Sequence, residues 1–201
     1  DGIDNTLKAS PINNPICGSQ GIELNGVDQY VELDNWEWGG TTSIEMYVKW
    51  DNVNNWSRIF DFGSGENMNN LIVGNNGTTS SLILGDEQPM PSSIENDIIK
   101  LNEWVHIVIT ISENRGMIYK NGIKIVSNTS FVEPVKVTRT NHYIGRSNWA
   151  SHGYFKGSIG YIKIWHGIEL SHQAVTQLHN KIESTLLPAH SWDFRDCVDG
   201  E

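Results

Sequence analysis

The sequence predicts an all-β chain: a two-sheet antiparallel β-sandwich with one short helix near its C-terminal end. Three observations predict it. The run from Asn102 to Val126 alternates, with Val105, Ile107, Ile109 and Ile111 on one side and Trp104, His106, Val108 and Thr110 on the other, the period of two that marks a half-to-fully buried strand. Within that run Glu113-Asn114-Arg115-Gly116 reads as a turn, and Asn121-Gly122 supplies the two φ > 0 residues of a tight hairpin. The stretches Met117 to Lys120 and Ile123 to Val126 then follow as second and third antiparallel strands. Helical spacing occurs at Ala174, Val175, Leu178 and Ile182, with Ser171 placed to cap the first turn.

The remaining segments follow in order. Residues 1–20 carry Asp, Asn, Pro and Gly at close intervals and read as a loop-rich lead-in. Leu33 is followed by a turn holding Trp36 and Trp38, expected to plug one end of the sandwich. In the strand Ser43 to Trp50, Ile44, Met46, Val48 and Trp50 share one face while Glu45, Tyr47 and Lys49 share the other, which is offered to solvent or to a binding groove. Ser57 to Phe62 reads as the next strand. Leu71 to Val73 and Ser81 to Leu84 flank the hairpin signal Gly74-Asn75-Asn76-Gly77, and Pro89 to Asp97 reads as a loop. Pairing breaks at Glu133-Pro134 and resumes at Asn141 to Gly145. A polar-aromatic loop, Arg146 to Tyr154, precedes the last core strand. Trp50, Trp104, Trp165 and Trp192 alternate with apolar residues and are assigned to the core.

A chain of 201 residues is enough for a single domain, residues 1–201, burying roughly 70% of its unfolded surface. It carries 14 basic against 24 acidic residues and no basic run, which argues against a nucleic-acid or anionic-membrane partner. No stretch approaches the roughly 18 consecutive apolar residues of a transmembrane segment, and no signal peptide is evident. Because the first residue is Asp1, the chain is expected to be an excised or processed piece. Asn55-Trp56-Ser57, Asn76-Gly77-Thr78 and Asn128-Thr129-Ser130 match the glycosylation triplet.

Several segments, in order and spacing, resemble one family. Trp104-Val105-His106-Ile107, the Ile118-Tyr119-Lys120-Asn121-Gly122 hairpin and Tyr143-Ile144-Gly145-Arg146 are similar to the central strands of laminin-G-like jelly rolls, members of the concanavalin A-like lectin/glucanase folds. Gly21 to Leu33 resembles the family's opening strand pair, Ser43 to Trp50 the strand after it, and Gly157 to Trp165 with Leu170-Ser171 its last strand and the turn beyond. The resemblance covers roughly residues 15–185. It implies a jelly roll whose first and last strands lie side by side, so that Cys17 and Cys197 would form a disulfide, with two free thiols as the alternative. The chain-entropy model gives a bridge over so long a loop roughly 5 kcal/mol as an upper bound. His190-Ser191-Trp192-Asp193-Phe194 is similar to a strand with which such modules open. Two expectations follow: a fragment of a tandem array, its terminal strand closing its own sheet or belonging to the next repeat, or one module with an ordinary C-terminal strand.

The resemblance also implies chemistries that the residues test. Retaining glucanases of this fold carry E-x-D-x-x-E on one strand, with the end carboxylates roughly 5 Å apart. The closest stretch, Glu95 to Lys100, ends in Lys. Alginate lyases need Gln-x-His, Arg-x-Glu and Tyr-bearing strands that Val105-His106-Ile107 and Tyr119-Lys120-Asn121 do not supply. No G-x-S-x-G elbow occurs, the histidine spacings do not suit structural zinc, and His106 reads as a structural histidine. The expectation is a non-enzyme with no required cofactor.

Calcium is a possible ion, because laminin-G-like modules often bind it through oxygen ligands. The family's frequent last-strand Asp is Gly160 here. Substitute sites are Asp1 and Asp4 beside Asp196 and Asp199, or Asp61 with Asn67, Asn69 and Asn70. For sugar, an aromatic platform and planar polar groups are needed. Trp149 is the first candidate, with Arg146, Asn148, His152 and Tyr154 on its loop. Trp56 and Arg58 lie at a strand entrance, and Asn75 and Asn76 at a neighbouring turn. The resulting expectation is an extracellular, secreted or cell-surface module that recognises a glycan or a glycosylated surface protein through rim loops. A structural or adhesive repeat contacting proteins and neighbouring repeats is the alternative, and a polysaccharide-cleaving enzyme trails both.

Overall fold

The structure is a computed structural model and describes residues 7–85, 93–182, 185–195 and 197. In chain order its elements begin with β1 (Ala9–Ile12), β2 (Ile16–Gly18), β3 (Gly21–Asn25), β4 (Tyr30–Leu33), β5 (Trp36–Trp38) and β6 (Thr42–Asn52). There follow β7 (Arg58–Gly63), β8 (Leu71–Asn75), β9 (Leu82–Gly85), β10 (Ser93–Glu95), β11 (Trp104–Ser112) and β12 (Arg115–Lys120). The chain continues with β13 (Ile123–Asn128), β14 (Val137–Arg139), β15 (Asn141–Ile144), β16 (Lys156–His166), α1 (His172–His179) and β17 (His190–Asp193).

Two antiparallel sheets carry the fold, in the jelly-roll arrangement of the sandwich. One runs β1-β4-β15-β7-β8-β9-β10; the other runs β13-β12-β11-β6-β16-β3-β2, with β17 pairing to β16. A small sheet, β14-β5, lies apart from both. The long strands β6 and β16 pair with each other at the middle of the eight-stranded sheet. Alternation then decides what each side becomes. Ile44, Met46 and Val48 of β6 meet Ile107, Ile109 and Ile111 of β11 in a core closed from the other sheet by Val31, Phe60, Phe62, Val73 and Ile144, none of them accessible.

The opposite face of the eight-stranded sheet carries a second, smaller apolar cluster. Val108, Tyr119 and Trp165 rise from it against Leu170 and Val175 of the α1 segment. Ser171 caps α1, its side chain accepting from the Ala174 N–H at 3.2 Å. The Ser43 hydroxyl donates to Ile168 O and accepts from Leu170 N, tying the approach to α1 onto β6.

Several local readings change. Arg115 belongs to β12, leaving Glu113-Asn114 as the turn, with Glu113 at φ 54. The Pro89 to Asp97 loop contains β10, paired to β9. Ile182 lies beyond the helix end and is exposed. Trp104 is not a core residue; it stands half-buried on the outer face of the sheet, because its alternation partners Val105 and Ile107 take the inner one. The Asn121-Gly122 turn has φ 49 and 78, as the hairpin requires.

The terminal strand β17 pairs antiparallel with β16 of its own sheet, Ile162 opposite Trp192. Beyond it Cys197 is disulfide-bonded to Cys17, with a Cα–Cα distance of 5.7 Å and 180 residues between them in sequence. Replacing both cysteines by serine is expected to lower the thermal midpoint of unfolding, by a stability loss of up to about 5 kcal/mol. A midpoint unchanged in non-reducing buffer would show that the bridge contributes nothing.

Trp36 and Trp38 do close one end, around histidine. The Trp36 ring stacks on His142 at 3.6 Å, and the Trp38 Nε1–H donates to His142 Nε2 at 3.0 Å. The Arg139 guanidinium lies 4.2 Å over Trp38 and donates to the carbonyls of Trp38, Asn69 and Val135. Burial, then the charges of Arg139 and His190, depress the His142 pKa to about 3. Burial and the same kind of neighbours take His166 to about 4. Above pH 6.5 these rings are neutral whether the chain is folded or unfolded. Below it the unfolded chain takes up protons that the folded one refuses, so stability is lost as pH falls. His142 alone should remove on the order of 2 kcal/mol by pH 5. Thermal midpoints measured from pH 7.5 to 4.5 should fall steadily, before carboxylates begin to protonate. A flat profile over that window would contradict a neutral buried His142.

Candidate functional site

Helix α1 covers only part of the outer face of the eight-stranded sheet. Beside it lies a groove of about 630 Å³. Its floor is the polar set of β6, β11 and β16: Glu45, Tyr47, Trp104, His106, Tyr161 and Lys163. Its far wall is the end of α1 and the segment after it, with Leu178 and His179 followed by the exposed Ile182, Leu186 and Leu187. The floor exists because three strands present their outward positions in register. Tyr47 lies opposite His106 on one side and Tyr161 on the other, while Glu45 lies opposite Lys163.

A bulge sets that register. Between Ile159 and Tyr161 the pairing of β16 with β6 shifts, leaving Gly160 as the extra residue. The shift lets Ile159 and Ile162 both reach the core while Tyr161 and Lys163 face outward. A Cβ at position 160 would come to 3.1 Å from Tyr47 Cδ1 and from the Gln20 carbonyl oxygen. Glycine therefore leaves room for the Tyr47 ring.

At the floor, Glu45 is 1% exposed. Its Oε1 accepts from His106 Nε2–H at 2.9 Å and from the Tyr161 hydroxyl at 3.0 Å, and Lys163 Nζ stands 3.3 Å from Oε2. Burial pushes the Glu45 carboxyl upward, but His106, Lys163 and Tyr161 together outweigh it and hold it below the usual carboxylate range. Glu45 is thus an ion at neutral pH. Burial and the neighbouring Glu45 charge raise the Tyr161 phenol well above its ordinary value, so it stays a protonated donor. Burial and His106 lower the His179 pKa on the wall.

The rings of the floor form a stacked row. Tyr47 and Trp104 stack at 4.6 Å with 12° between their planes, close to the spacing of the strands that bear them. Tyr161 continues the row 5.9 Å from Tyr47, and Arg195 lies 4.9 Å over its ring, held there by Asp193. The groove thus has a row of aromatic rings and the Glu45 cluster along its floor, with aliphatic side chains in its lining as well.

The residues singled out from the sequence lie mainly at the ends of β7 and β8 and on the loop before β16, and the structure brings four of them together. The His152 ring stacks between Trp56 at 5.9 Å and Trp149 at 5.6 Å, and the Arg58 guanidinium reaches both Trp56 and His152 Nδ1. Burial, then Arg58, lowers the His152 pKa to about 4, so its Nδ1 is an acceptor at neutral pH. Arg58 is 2% exposed, and burial brings its pKa down to about 10, which leaves it a cation. Arg146 and Tyr154 belong instead to a neighbouring cluster, Arg146 lying over Tyr30 and Tyr143. Asn75 is fully buried and ties Ser57, Asn54 and Gly77 together. Asn76 sits in the adjoining turn, its backbone bonded to Ser81 and Thr79.

Asp61, Asn70 and Asn148 anchor the loop that carries Trp149. The two Asp61 oxygens accept from Asn70 Nδ2, from Asn148 N and Nδ2, each at 2.8 Å, and from the Ser147 hydroxyl at 3.3 Å. Burial raises its pKa despite these donors. The Asn69 carbonyl is taken by Arg139. With its oxygens already used by hydrogen-bond donors, the Asp61 group does not fit a calcium ion. Asp1 and Asp4, like Asp196 and Asp199, lie outside the described residues. Among the described residues no three His, Cys, Asp or Glu side chains are grouped to hold a metal.

What sequence reasoning missed is the floor as a set. The pattern places Glu45 and Tyr47 on a face open to solvent or a groove but assigns Trp104 to the core and does not single out Tyr161, Lys163 or Arg195; His106, 4% exposed and bonded to Glu45, is the structural histidine it reads as. The outward alternation of β6 was the available signal; its neighbours depend on strand order and on the bulge.

A sandwich of this topology, with a groove across one sheet, has clear relatives. The laminin-G model of the Concanavalin A-like lectin/glucanases superfamily matches residues 25–176, more than half of the chain, and the chain belongs to that superfamily. Among solved structures it is similar to domain 4 of an extracellular arabinanase from Geobacillus stearothermophilus in complex with arabinotriose, with 19% identity, a TM-score of 0.63, and 87% of each chain covered. It is also similar to Trypanosoma rangeli sialidase in complex with sialic acid, with 16% identity and a TM-score of 0.62. That match covers 86% of this chain but only 29% of the sialidase chain. At these identities the likeness is one of fold. No curated protein matches the chain.

Proposed function

We propose that this chain is a non-catalytic carbohydrate-binding module of the extracellular space, and that it holds its saccharide in the groove across β6, β11 and β16. The observation that carries the reading is the groove itself: a concave site in the size range of small-ligand pockets, with one aliphatic wall and a floor of locked polar groups. Glu45, His106, Tyr161 and Lys163 hold one another and Tyr47 stacks on Trp104 before a ligand arrives, so little ordering cost falls on binding. The arabinotriose-bound domain shows that a similar fold accompanies a bound saccharide elsewhere.

Two features favour binding over cleavage. Retaining and inverting glycosidases work with a pair of carboxyl groups across the scissile bond. Glu45 is the one carboxylate among the described groove-lining residues, and it is already committed to His106, Tyr161 and Lys163. The Tyr161 phenol, raised in pKa, is a poor base for an elimination. The disulfide suits an oxidising compartment, and no helix among the described residues is long and apolar enough to cross a membrane.

The Trp56–His152–Trp149 stack supports a second location for the same function. A glycan array read with Trp104→Ala and Trp149→Ala separates the two. Trp104→Ala should weaken every hit by at least about tenfold, the scale of losing one buried aromatic contact, while Trp149→Ala leaves it unchanged. The reverse pattern would move the site to the loop. An array without a hit would sink the carbohydrate reading in favour of a protein-contacting repeat, and reducing-sugar release from a polysaccharide would revive the enzyme.

A further inference from the structure

We infer that the groove selects an anionic saccharide over a neutral one. This rests on the glycan-binding reading above and specifies its ligand. The chain as a whole is strongly acidic, with a formal net charge of −10. Among the described residues the lining of the groove reverses that sign: Lys163, Lys181 and Arg195 against the one carboxylate of Glu45.

The pairing of these groups sharpens the point. Lys163 answers Glu45 at 3.3 Å, and Arg195 is held by Asp193, which lies outside the lining. Lys181 is exposed at the end of α1 and has no ion-pair partner among the described residues. Among the described residues these five charged groups sum to one excess positive charge in an otherwise negative protein. His106 and Tyr161 already donate to Glu45 Oε1 and Lys163 faces Oε2, so the buried carboxylate is offset within the floor. A neutral glycan would gain nothing from Lys181, whereas a carboxylate or sulfate reaching it would complete the balance. A pair made at the partly buried Lys163 counts for more than one at the exposed Lys181.

The aliphatic wall complements this. Ile182, Leu186 and Leu187 are 52%, 40% and 63% exposed, and they face the charged floor across the groove. A saccharide lying between them turns its C–H side to the wall and its acid group to the lysines. Carboxylated and sulfated sugars share this chemistry.

The test compares matched pairs by calorimetry: oligogalacturonides against their methyl esters, sialyllactose against lactose, and sulfated against unsulfated lactose. At least one acidic member should bind about tenfold more tightly than its neutral counterpart. The winning arm identifies the carboxylate or the sulfate as the source. Lys181→Gln should narrow that gap, Lys163→Gln should narrow it further, and Lys124→Gln, on the distant strand β13, should leave it intact. Equal or tighter binding of the neutral members would overturn the inference while leaving the groove as a glycan site. An acidic preference untouched by Lys181→Gln and Lys163→Gln would overturn it as well, since the groove would not be its source. Binding of no saccharide at all would remove both the inference and the function it rests on.

Discussion

The constraint on which the rest depends is the alternation of β6 at the middle of the eight-stranded sheet. Its even positions from Ile44 to Trp50 enter the core with almost no exposure. Its odd positions must then lie on the other face whatever their chemistry. Glu45 is the costly member of that set, because a buried carboxylate needs partners. The strands on either side supply them: His106 from β11, and Tyr161 and Lys163 from β16. A single outward position on the central strand thereby organises three strands into one polar floor.

The helix explains why the floor is a groove and not an open face. Val108, Met117, Tyr119 and Trp165 are outward positions too, but apolar ones, and they are covered by the α1 segment through Leu170 and Val175. The apolar end of the face attracts the helix, and the polar end is left beside it. Packing and site are two consequences of one pattern of outward residues. The chain that leaves α1 then runs past the groove, supplies its aliphatic wall, and returns as β17 to pair with β16.

Much of the fold was legible because it rests on short-range signals. Alternation in β6 and β11, the Asn121-Gly122 turn and the Ser171 cap each involve neighbouring residues, and each lies where the pattern placed it. The loop cluster was legible in part for a similar reason: Trp149 and His152 share a loop, and Trp56 and Arg58 share a strand entrance. Their meeting required only that the two segments be adjacent. The groove was not legible, because it depends on which strands are neighbours and in what register. Trp104 has the same apolar character as a core residue, and only the direction of its strand tells that it faces out. Tyr161 is displaced by a bulge at Gly160 that alternation alone does not reveal. Polar residues such as Asn75, Asn148 and Asp61 looked like binding groups, and the structure spends them on holding loops.

In the reading proposed above, the outer face of β6, β11 and β16, and not the loop rim, meets the ligand. The most direct measurement is a map of backbone amide shifts in the ¹⁵N-labelled protein as a bound saccharide is titrated in. The account predicts that the largest changes fall on Glu45, Tyr47, His106, Tyr161 and Lys163, with Lys181 and Leu187 moving alongside. Changes confined to residues 146–154 and to Trp56 and Arg58, with the β6 floor silent, would contradict it.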